Sequence, residues 1–366
     1  MARIELEGIS HTYNPPSVPE AQREYAVSNM DISWPDGSAN ALLGPSGCGK
    51  TTILNIISGL LQPTAGRVLV DGKDVTPLAP RERKIAQVFQ FPVVYDSMNV
   101  FDNLAFPLRN QKVPEREIGK KVRETAEILG LEDLLKARIT SLNAADKQKI
   151  SLGRSIIRED TAAVLLDEPL TVIDPKFKGG LRRKLREVQN RLKKTMIYVT
   201  HDQHEALTFA DDVTIIQDGH LIQQGTPHEL HSQPASPFIG YFIGSPGMNL
   251  LDCTLQDKDN TLQFSDFHLP VSQELKNKLG SAGTSLKLGI RPEVIDVATR
   301  EQDGAVAFTV SVIEYTGAYR VLTCDRESSR IKARVSESIS VTEGDRVWVS
   351  FPEEKVNLFF NEKRII

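Results

Sequence analysis

Long apolar runs separated by helix-spaced segments mark the first part of the chain. Ala39 to Leu43, Ala162 to Leu166 and Thr195 to Thr200 are largely apolar, which predicts strands covered on both faces. Pro114 to Leu129 carries apolar residues at helical spacing, and Leu181 to Leu192 predicts a basic amphipathic helix. Buried strands that alternate with helices favour a mostly parallel α/β sheet as far as about residue 235.

Shorter patterns add further strands and two hairpins to this part of the chain. Asp71-Gly72 indicates the turn of one hairpin, and Gly219 indicates the turn of another. The additional strands are predicted at Arg3 to Ser10, Val27 to Trp34, Arg67 to Val70, Ile85 to Phe89, Val213 to Ile216 and Leu221-Ile222.

The pattern changes after the proline- and serine-rich stretch Ser232 to Pro237. From about Asn249 onward, short segments of alternating polarity are separated by glycines and acidic turns, which predicts a small all-β barrel domain. Because 366 residues exceed what one core usually holds, we expect domains at residues 1–236 and 237–366, with a helical subdomain at about 92–160. The later strands are expected at Leu286 to Ile290, Val306 to Ile313, Val321 to Thr323, Ile331 to Val335 and Val347 to Phe351.

Composition narrows the classes of protein that this chain can belong to. Hydrophobic residues at 40% and charged residues at 25% are typical of a soluble globular protein, and a net charge of -4 gives no electrostatic reason to expect a nucleic-acid partner. Cys48, Cys253 and Cys324 are odd in number and far apart, which favours free thiols in a reducing compartment. The segment Met1 to Glu5 has no apolar signal region, and the chain lacks a run of about 18 apolar residues. We therefore expect a chain that does not span a membrane alone but can sit on a protein that does.

A glycine-rich loop joins the predicted strand that ends at Leu43 to a helical run that starts at Ile53. It has the sequence Gly44-Pro45-Ser46-Gly47-Cys48-Gly49-Lys50-Thr51, in the strand–loop–helix context of a phosphate-binding loop. Glycines let backbone N–H groups curl around a polyphosphate, and the helix that follows points its positive end at the anion. Lys50 adds a charge for the β- and γ-phosphates, and the Thr51 hydroxyl is a ligand for Mg²⁺. A chance match is the alternative, but the context predicts a nucleoside triphosphate site.

A pair of carboxylates follows the apolar strand that ends at Leu166. Asp167 can reach the Mg²⁺ of a bound nucleotide, and Glu168 can orient or deprotonate an attacking water. For an isolated Asp-Glu pair, a solvated strand end is the more common explanation. Because this chain also contains a phosphate loop, we favour a role in the nucleotide site for Asp167 and Glu168. His201 after the next strand is weak evidence alone, and His201 with His204 lacks a third metal ligand at suitable spacing. Taken singly, Gln90 and Tyr13 are equally weak.

In this order, the segments resemble an ABC-transporter ATPase subunit of the sugar-importer type, over nearly the whole chain. The fold implied is an α/β P-loop NTPase (ABC ATPase) domain followed by an all-β OB/TOBE-type domain. By this resemblance Glu168 and His201 are catalytic, Tyr13 stacks on adenine, Gln90 senses Mg²⁺ and Asp174 lies in the loop that contacts a second subunit. The ATP-binding residues implied are Tyr13, Gly44, Pro45, Ser46, Gly47, Cys48, Gly49, Lys50, Thr51, Thr52, Gln90 and Asp167, with Mg²⁺ on Thr51, Gln90 and Asp167. The C-terminal resemblance lies in Gly244 to Asn249, Leu288 to Glu293 and Asn357-Leu358-Phe359.

The resemblance also implies cofactors, partners and a location. ATP and Mg²⁺ are the cofactors. The partners are a second ABC ATPase subunit, two membrane-spanning permease subunits and, indirectly, an extracytoplasmic solute-binding protein, with no nucleic acid. The chain then lies peripherally on the cytoplasmic face of the inner membrane. The apolar run Phe91 to Tyr95 after Gln90 is a docking surface for the membrane subunits or, equally, part of the core.

One motif departs from the family pattern, in which two subunits bind head to tail and a Leu-Ser-Gly-Gly-Gln signature closes each ATP site. The segment Gln148-Lys149-Ile150 fixes the register and puts Leu142, Asn143, Ala144, Ala145 and Asp146 at the signature positions. The alanine methyl groups obstruct a close approach to phosphate, and the Asp146 carboxylate repels it. The three-residue spacing of Asn143 and Asp146 also predicts a self-capping pair at the start of a helix. Such a pair would use backbone N–H groups that a phosphate needs. The dimer loop Thr171 to Asp174 keeps only its aspartate of the usual Ser-Asn-Leu-Asp.

We therefore expect an asymmetric heterodimer, in which this chain borrows an intact signature from a different ATPase subunit. A tolerated signature variant is the simplest alternative. Two other classes stay open: a subunit that mainly regulates a catalytic partner, and a soluble ABC-type ATPase that acts on nucleic acid or ribosomes, which the acidic charge opposes. The family type implies transport of a sugar, polyol, glycerol or glycerol phosphate. Polyamine, iron and sulfate are less favoured alternative substrates.

Overall fold

The structure is a computed structural model that describes residues 2–256, 260–279 and 285–366. Its contacts divide the chain into two compact units, Met1–Pro227 and His228–Ile366. The first unit ends upstream of residue 236, where we expect the domain boundary from the sequence. That boundary and the helical subdomain at about 92–160 stay predictions.

The first unit contains ten strands and six helices among the described residues. The strands are β1 (Ile4–Thr12), β2 (Tyr25–Trp34), β3 (Ala39–Leu43), β4 (Ala65–Val70), β5 (Lys73–Asp74), β6 (Ile85–Val88), β7 (Ala163–Asp167), β8 (Thr195–Thr200), β9 (Asp212–Gln217) and β10 (His220–Gly225). The helices are α1 (Lys50–Ser58), α2 (Val100–Asn110), α3 (Glu115–Leu129), α4 (Ala144–Ile156), α5 (Pro175–Leu192) and α6 (Gln203–Phe209). Short three-ten helices lie at Glu20–Gln22, Glu132–Leu134 and Ile139–Ser141.

A six-stranded sheet in the order β10-β9-β3-β8-β7-β6 carries the first unit. The pairings from β9 to β6 are parallel and β10 is antiparallel, so the predicted mostly parallel sheet is confirmed. Every residue of β3 and β8 is buried, as their apolar sequences require of strands covered on both faces. Leu43 pairs with Thr200 and Asp167 with Val199, so the carboxyl ends of β3, β7 and β8 lie side by side.

A separate four-stranded antiparallel sheet, β2-β1-β4-β5, was not expected from the sequence. Its strands were predicted, but β1 pairs with β4 across more than sixty residues (Ile4 with Val70), and no local pattern encodes such a partner. The two predicted hairpins are confirmed. Asp71 (φ 50°) and Gly72 (φ 73°) join β4 to β5, and Asp218 (φ 48°) and Gly219 (φ 77°) join β9 to β10. Two central residues with positive φ give the twist that suits a hairpin.

Helices α2, α3 and α4 pack closely around Gly153 on α4. A Cβ at this position would lie 2.5 Å from Leu104 Cδ2 on α2 and 3.0 Å from Leu129 Cδ1 on α3, so a larger residue would require these leucine side chains to shift. The sequence did not predict α2, because Pro107 lies inside this helix and proline disfavours helical structure. The side chain of Asn99 caps the N-terminus of α2 by accepting a hydrogen bond from Asp102 N at 2.7 Å. This packing sets the position of the N-terminus of α4.

The second unit is rich in β-structure, as predicted, and forms two antiparallel sheets around one apolar core. The strands are β11 (Asn249–Gln256), β12 (Thr261–Gln263), β13 (His268–Pro270), β14 (Ser285–Ile290), β15 (Asp296–Ala298), β16 (Val306–Tyr315), β17 (Arg320–Arg326), β18 (Ser329–Val335), β19 (Arg346–Ser350), β20 (Asn357–Phe360) and β21 (Lys363–Arg364). The six-stranded sheet has the order β13-β12-β11-β14-β20-β21 and the five-stranded sheet the order β15-β19-β16-β17-β18. Helices α7 (Pro227–Ser232), α8 (Pro237–Phe242) and α9 (Gln273–Leu279) and three-ten helices at Pro292–Val294 and Glu353–Lys355 complete the elements.

Cys48, Cys253 and Cys324 are all buried and unpaired. Among the residues that the structure describes, no helix combines the length and apolar character needed to cross a membrane.

Candidate functional site

The glycine-rich loop runs from the end of β3 to the start of α1, as predicted. Gly47 (φ 83°) and Gly49 (φ 101°) have left-handed backbone conformations that other residues rarely adopt. A Cβ on Gly49 would lie 2.3 Å from the Ala26 carbonyl oxygen, and one on Gly44 would lie 2.3 Å from the Ile216 carbonyl oxygen. Around Gly47 no atom lies within 4 Å of such a Cβ, which leaves space on one side of the loop.

The N-terminus of α1 is open to an anion. Gly49 is its N-cap residue and offers no side-chain acceptor, and the first turn contains no acidic residue. The buried Lys50 ammonium donates to the carbonyl oxygens of Gly44 (2.8 Å) and Pro45 (2.7 Å), so its charge is held against the loop. Burial raises the pKa of the Cys48 thiol despite the nearby Lys50 charge. The free N–H groups and the fixed ammonium suit a polyphosphate.

Tyr13 presents an exposed aromatic ring beside α1. Its side chain is 66% exposed, and its hydroxyl lies 3.1 Å from Thr52 Oγ1. The ring of His11 meets it edge-on, with 4.7 Å between centroids. The segment from Asn14 to Glu24 that follows Tyr13 closes on itself, because Asn14 Oδ1 accepts from Glu24 N at 2.7 Å. This segment therefore leaves Tyr13 next to the helix that follows the phosphate loop.

Asp167 and Glu168 leave the end of β7 in different environments. Burial and the neighbouring Glu168 charge raise the pKa of Asp167, and the Lys50 charge only partly opposes this. Glu168 has a left-handed backbone (φ 44°), and its N–H donates to the Val199 carbonyl oxygen at 3.0 Å. This turn aims the Glu168 side chain toward the end of β8.

Both carboxylate oxygens of Glu168 are held. His201 Nδ1 lies 3.0 Å from Oε1, and the Thr171 hydroxyl donates to Oε2 at 3.1 Å. Burial raises the pKa of Glu168, but the bonds from His201 and Thr171 together lower it below its ordinary value. Glu168 is therefore an ionised, oriented carboxylate, as a residue that aligns a water molecule must be. The sequence pointed to Glu168 and His201 but gave no sign of the Thr171 contact.

Two further predicted residues occupy loop positions in the first unit. Gln90 is half-buried two residues after β6, and the carbonyl oxygen of the preceding Phe89 accepts from Gln148 Nε2 on α4 at 3.3 Å. Asp174 caps α5, where its carboxylate accepts from Lys176 N at 3.1 Å.

The N-terminus of α4, unlike that of α1, is closed by its own side chains. Asn143 Oδ1 accepts from Asp146 N at 2.8 Å, and Asn143 Nδ2 donates to Asp146 Oδ2 at 2.8 Å. Lys149 Nζ lies 3.0 Å from the other oxygen, Asp146 Oδ1. The self-capping pair predicted from the sequence is confirmed. These contacts use an N–H group of the first turn and place a carboxylate there.

The side chains near the phosphate loop fit a magnesium nucleotide better than a metal held by protein alone. Among the described residues, no three His, Cys, Asp or Glu side chains cluster closely enough to bind a metal. His204 Nε2 accepts from Arg182 Nη2 at 3.2 Å. Thr51 is exposed at the start of α1, and Asp167 lies at the end of β7, which β8 separates from β3 in the sheet. Mg²⁺ typically takes one or two such protein ligands and completes its shell with phosphates and water.

Comparisons with known proteins agree with this geometry. A family model described as ABC transporter matches residues 27–171, one for the MalK OB fold domain matches 244–295, and one for the TOBE domain matches 288–359. The trehalose/maltose import ATP-binding protein MalK of Thermococcus litoralis is 38% identical over 91% of this chain and 93% of its own. The sn-glycerol-3-phosphate import ATP-binding protein UgpC of Salmonella typhimurium is 34% identical over 99% of both chains.

Two further similarities differ in how much of the chain they cover. The oligosaccharides import ATP-binding protein MsmX of Bacillus subtilis is 34% identical over 100% of this chain and 99% of its own. The structure of cbiO1 from Clostridium perfringens, part of the ABC transporter complex cbiONQ, is 26% identical with a TM-score of 0.57, over 63% of this chain and 90% of that one.

Replacing Thr171 with valine tests whether its hydroxyl orients Glu168. We expect kcat for ATP hydrolysis to fall about fivefold, because a half-exposed hydrogen bond to a charged group contributes roughly 1 kcal/mol. The KM for ATP should hardly change, since Thr171 touches Glu168 and not the phosphate loop. Thr171→Ser keeps the hydroxyl and should stay within about twofold of the unmodified chain. No loss in Thr171→Val, or an equal loss in both variants, would contradict the assignment of the effect to the hydroxyl alone.

Proposed function

The chain belongs to the ATP-hydrolysing subunits of ABC transporters, and we propose that it energises an importer as one half of an asymmetric ATPase pair. The observation that carries this proposal is the difference between two helix N-termini. The N-terminus of α1 has no side-chain cap, whereas that of α4 is capped by Asn143 and occupied by the Asp146 carboxylate. One suits an anion and the other does not.

The phosphate side of the ATP site is complete within this chain. Lys50 and Thr51 start α1, and the held Glu168 carboxylate lies within reach of His201. We propose that ATP binds across the loop from Gly44 to Thr52, with adenine on Tyr13 and Mg²⁺ on Thr51, Gln90 and Asp167. Glu168 then orients the attacking water while His201 contacts the γ-phosphate.

The signature side of a second ATP site is poor in this chain. The Asp146 carboxylate would face the γ-phosphate of an ATP held by the partner, which is repulsive in a partly dry site. Ala144 and Ala145 add methyl groups where the backbone must come close to phosphate. We propose that a different ATPase subunit supplies an intact signature to this chain's ATP. The second site, which pairs the partner's phosphate loop with Leu142 to Asp146, would then be weak or inactive.

A groove on the first unit supports docking to membrane subunits. It has a volume of about 570 Å³ and is lined by Phe89, Val93 and Phe106 together with basic side chains including Arg154. Arg154 Nη1 donates to the Val93 carbonyl oxygen at 2.6 Å, so α4 holds the segment after Gln90 in place. The Phe91 side chain in this segment is 67% exposed. We propose that two permease subunits dock here, with the chain peripheral on the cytoplasmic face of the membrane.

The proposed substrate is a polyhydroxy compound: a sugar, polyol, glycerol or glycerol phosphate. Three relatives that align with more than nine-tenths of this chain carry names that specify trehalose and maltose, sn-glycerol-3-phosphate, and oligosaccharides. A solute-binding protein outside the cytoplasm and the permease subunits would select among these. Genes for a second ATPase, two permeases and a binding protein beside this gene would identify the partners for reconstitution.

Hydrolysis by the chain alone and by the reconstituted complex tests the asymmetric pair. We expect the purified chain to hydrolyse ATP at least about tenfold more slowly than the complex with the second ATPase, because the donors that close over the γ-phosphate are absent from a pair of identical chains. The rate is measured as phosphate release at saturating ATP and Mg²⁺. Equal rates per ATP site would contradict the heterodimer and favour a tolerated signature variant.

A mainly regulatory subunit is the second candidate, because the closed α4 N-terminus would suit a chain that tunes a catalytic partner. Substituting Glu168→Gln in this chain alone, within the complex, separates the two. An energising subunit should lose turnover by about a hundredfold or more and retain bound ATP, since the carboxylate that His201 and Thr171 orient is gone. A pure regulator should leave turnover unchanged.

A further inference from the structure

Three basic residues on α5 lie four positions apart and therefore share one face of the helix: Lys178, Arg182 and Arg186, here called the basic stripe. Arg182 and Arg186 belong to the basic amphipathic helix that the sequence predicts over Leu181 to Leu192, with no role attached, whereas Lys178 lies before that range. We infer that the basic stripe positions His201, by locking α5 to the segment that carries this histidine. This inference rests on the proposed roles of His201 and of the dimer loop at Asp174.

Each residue of the stripe contacts a partner between residues 204 and 211. Lys178 Nζ lies 3.7 Å from Glu205 Oε1, and Arg182 Nη2 donates to His204 Nε2 at 3.2 Å. Arg186 donates through both guanidinium Nη groups to the two carboxylate oxygens of Asp211, a bidentate pair. Two helical turns of α5 are thus bonded to α6 and to Asp211, two residues beyond its end.

Glu205 extends the first of these contacts to β8. Its side chain is buried, with 4% of the residue exposed, and its Oε2 accepts from Tyr198 and Thr200 hydroxyls, each at 3.0 Å. Burial and the Glu205 charge raise the pKa of Tyr198 well above its usual value, so its phenol remains a donor. A buried carboxylate depends strongly on its cation, because removing Lys178 leaves the charge without its compensating partner.

The two residues that flank His201 are both tied into this network. Thr200 donates to Glu205 and accepts from Asp202 N at 3.0 Å. Asp202 in turn caps α6 through His204 N (2.8 Å) and Glu205 N (3.2 Å). His201 is therefore held from both sides, while its own ring is exposed and reaches Glu168. A shift of Glu205 would therefore displace Thr200 and Asp202, the two residues that hold the backbone of His201 in place.

The stripe is not needed to attach α5 to the rest of the unit. Leu181, Leu185 and Val188 are buried on the apolar face of the same helix and belong to the core. The polar contacts of the stripe instead link α5 to the segment that carries His201. The helix α5 begins at the capping residue Asp174 in the dimer loop, so these contacts also connect that loop to the His201 segment.

The test uses Lys178→Met in the reconstituted transporter, in the presence and absence of His201. In the otherwise unmodified chain we expect kcat to fall about tenfold with the KM for ATP within about twofold. In the His201→Ala background, Lys178→Met should cause no further loss, because its effect acts through His201. Hydrolysis is followed with radiolabelled ATP so that slow rates remain measurable. Lys178→Arg should restore the rate.

Lys184→Met is the matched control, because Lys184 lies on the same helix and pairs with Glu187 at a similar distance, 3.6 Å, but with a carboxylate that is exposed to solvent and not buried. It should leave kcat unchanged. Arg182→Met tests a second contact of the stripe if Lys178→Met lowers the unfolding temperature, and it should show the same dependence on His201. An equal fold-loss with and without His201, or no loss from either stripe variant, overturns the inference. If His201→Ala alone leaves hydrolysis unchanged, the proposed role of His201 is wrong instead.

Discussion

The first turn of an α-helix leaves backbone N–H groups without partners inside the helix, and what fills that position decides what the helix can bind. In this chain α1 begins after Gly49, which has no side chain, and its N–H groups remain available beside the fixed Lys50 ammonium. At α4 the same kind of position is filled by the Asn143–Asp146 pair. The proposed asymmetric pair rests on the contrast between a helix N-terminus that suits a phosphate and one that carries a carboxylate.

The parallel sheet brings the remaining parts of the site together. β3, β7 and β8 are adjacent and end at the same edge, so the phosphate loop, the two carboxylates and His201 emerge side by side. The two neighbouring carboxylates differ in their pKa: burial raises the pKa of Asp167, while hydrogen bonds lower the pKa of Glu168. The backbone N–H of Glu168 is bonded to β8, which couples the carboxylate turn to the strand that carries the histidine.

Local patterns predicted the parts of this structure whose causes are local. The apolar strands, both hairpins, the phosphate loop and the Asn143–Asp146 pair depend on residues close in the chain, and all are present. The β1–β4 pairing and the Lys178–Glu205 contact were missed because each joins residues that are distant in the chain. Helix α2 was missed because Pro107 disfavours helix, although Leu104 and Leu108 bury its apolar face.

The most direct measurement restores the usual signature and asks whether the chain then works without a partner. The fourfold variant Asn143→Ser, Ala144→Gly, Ala145→Gly and Asp146→Gln removes the cap, the methyl groups and the carboxylate together. We expect this variant, purified alone, to hydrolyse ATP at least about tenfold faster than the unmodified chain, and to lose that gain with Glu168→Gln. No gain, or an unmodified chain that already matches the mixed complex, would contradict the asymmetric pair.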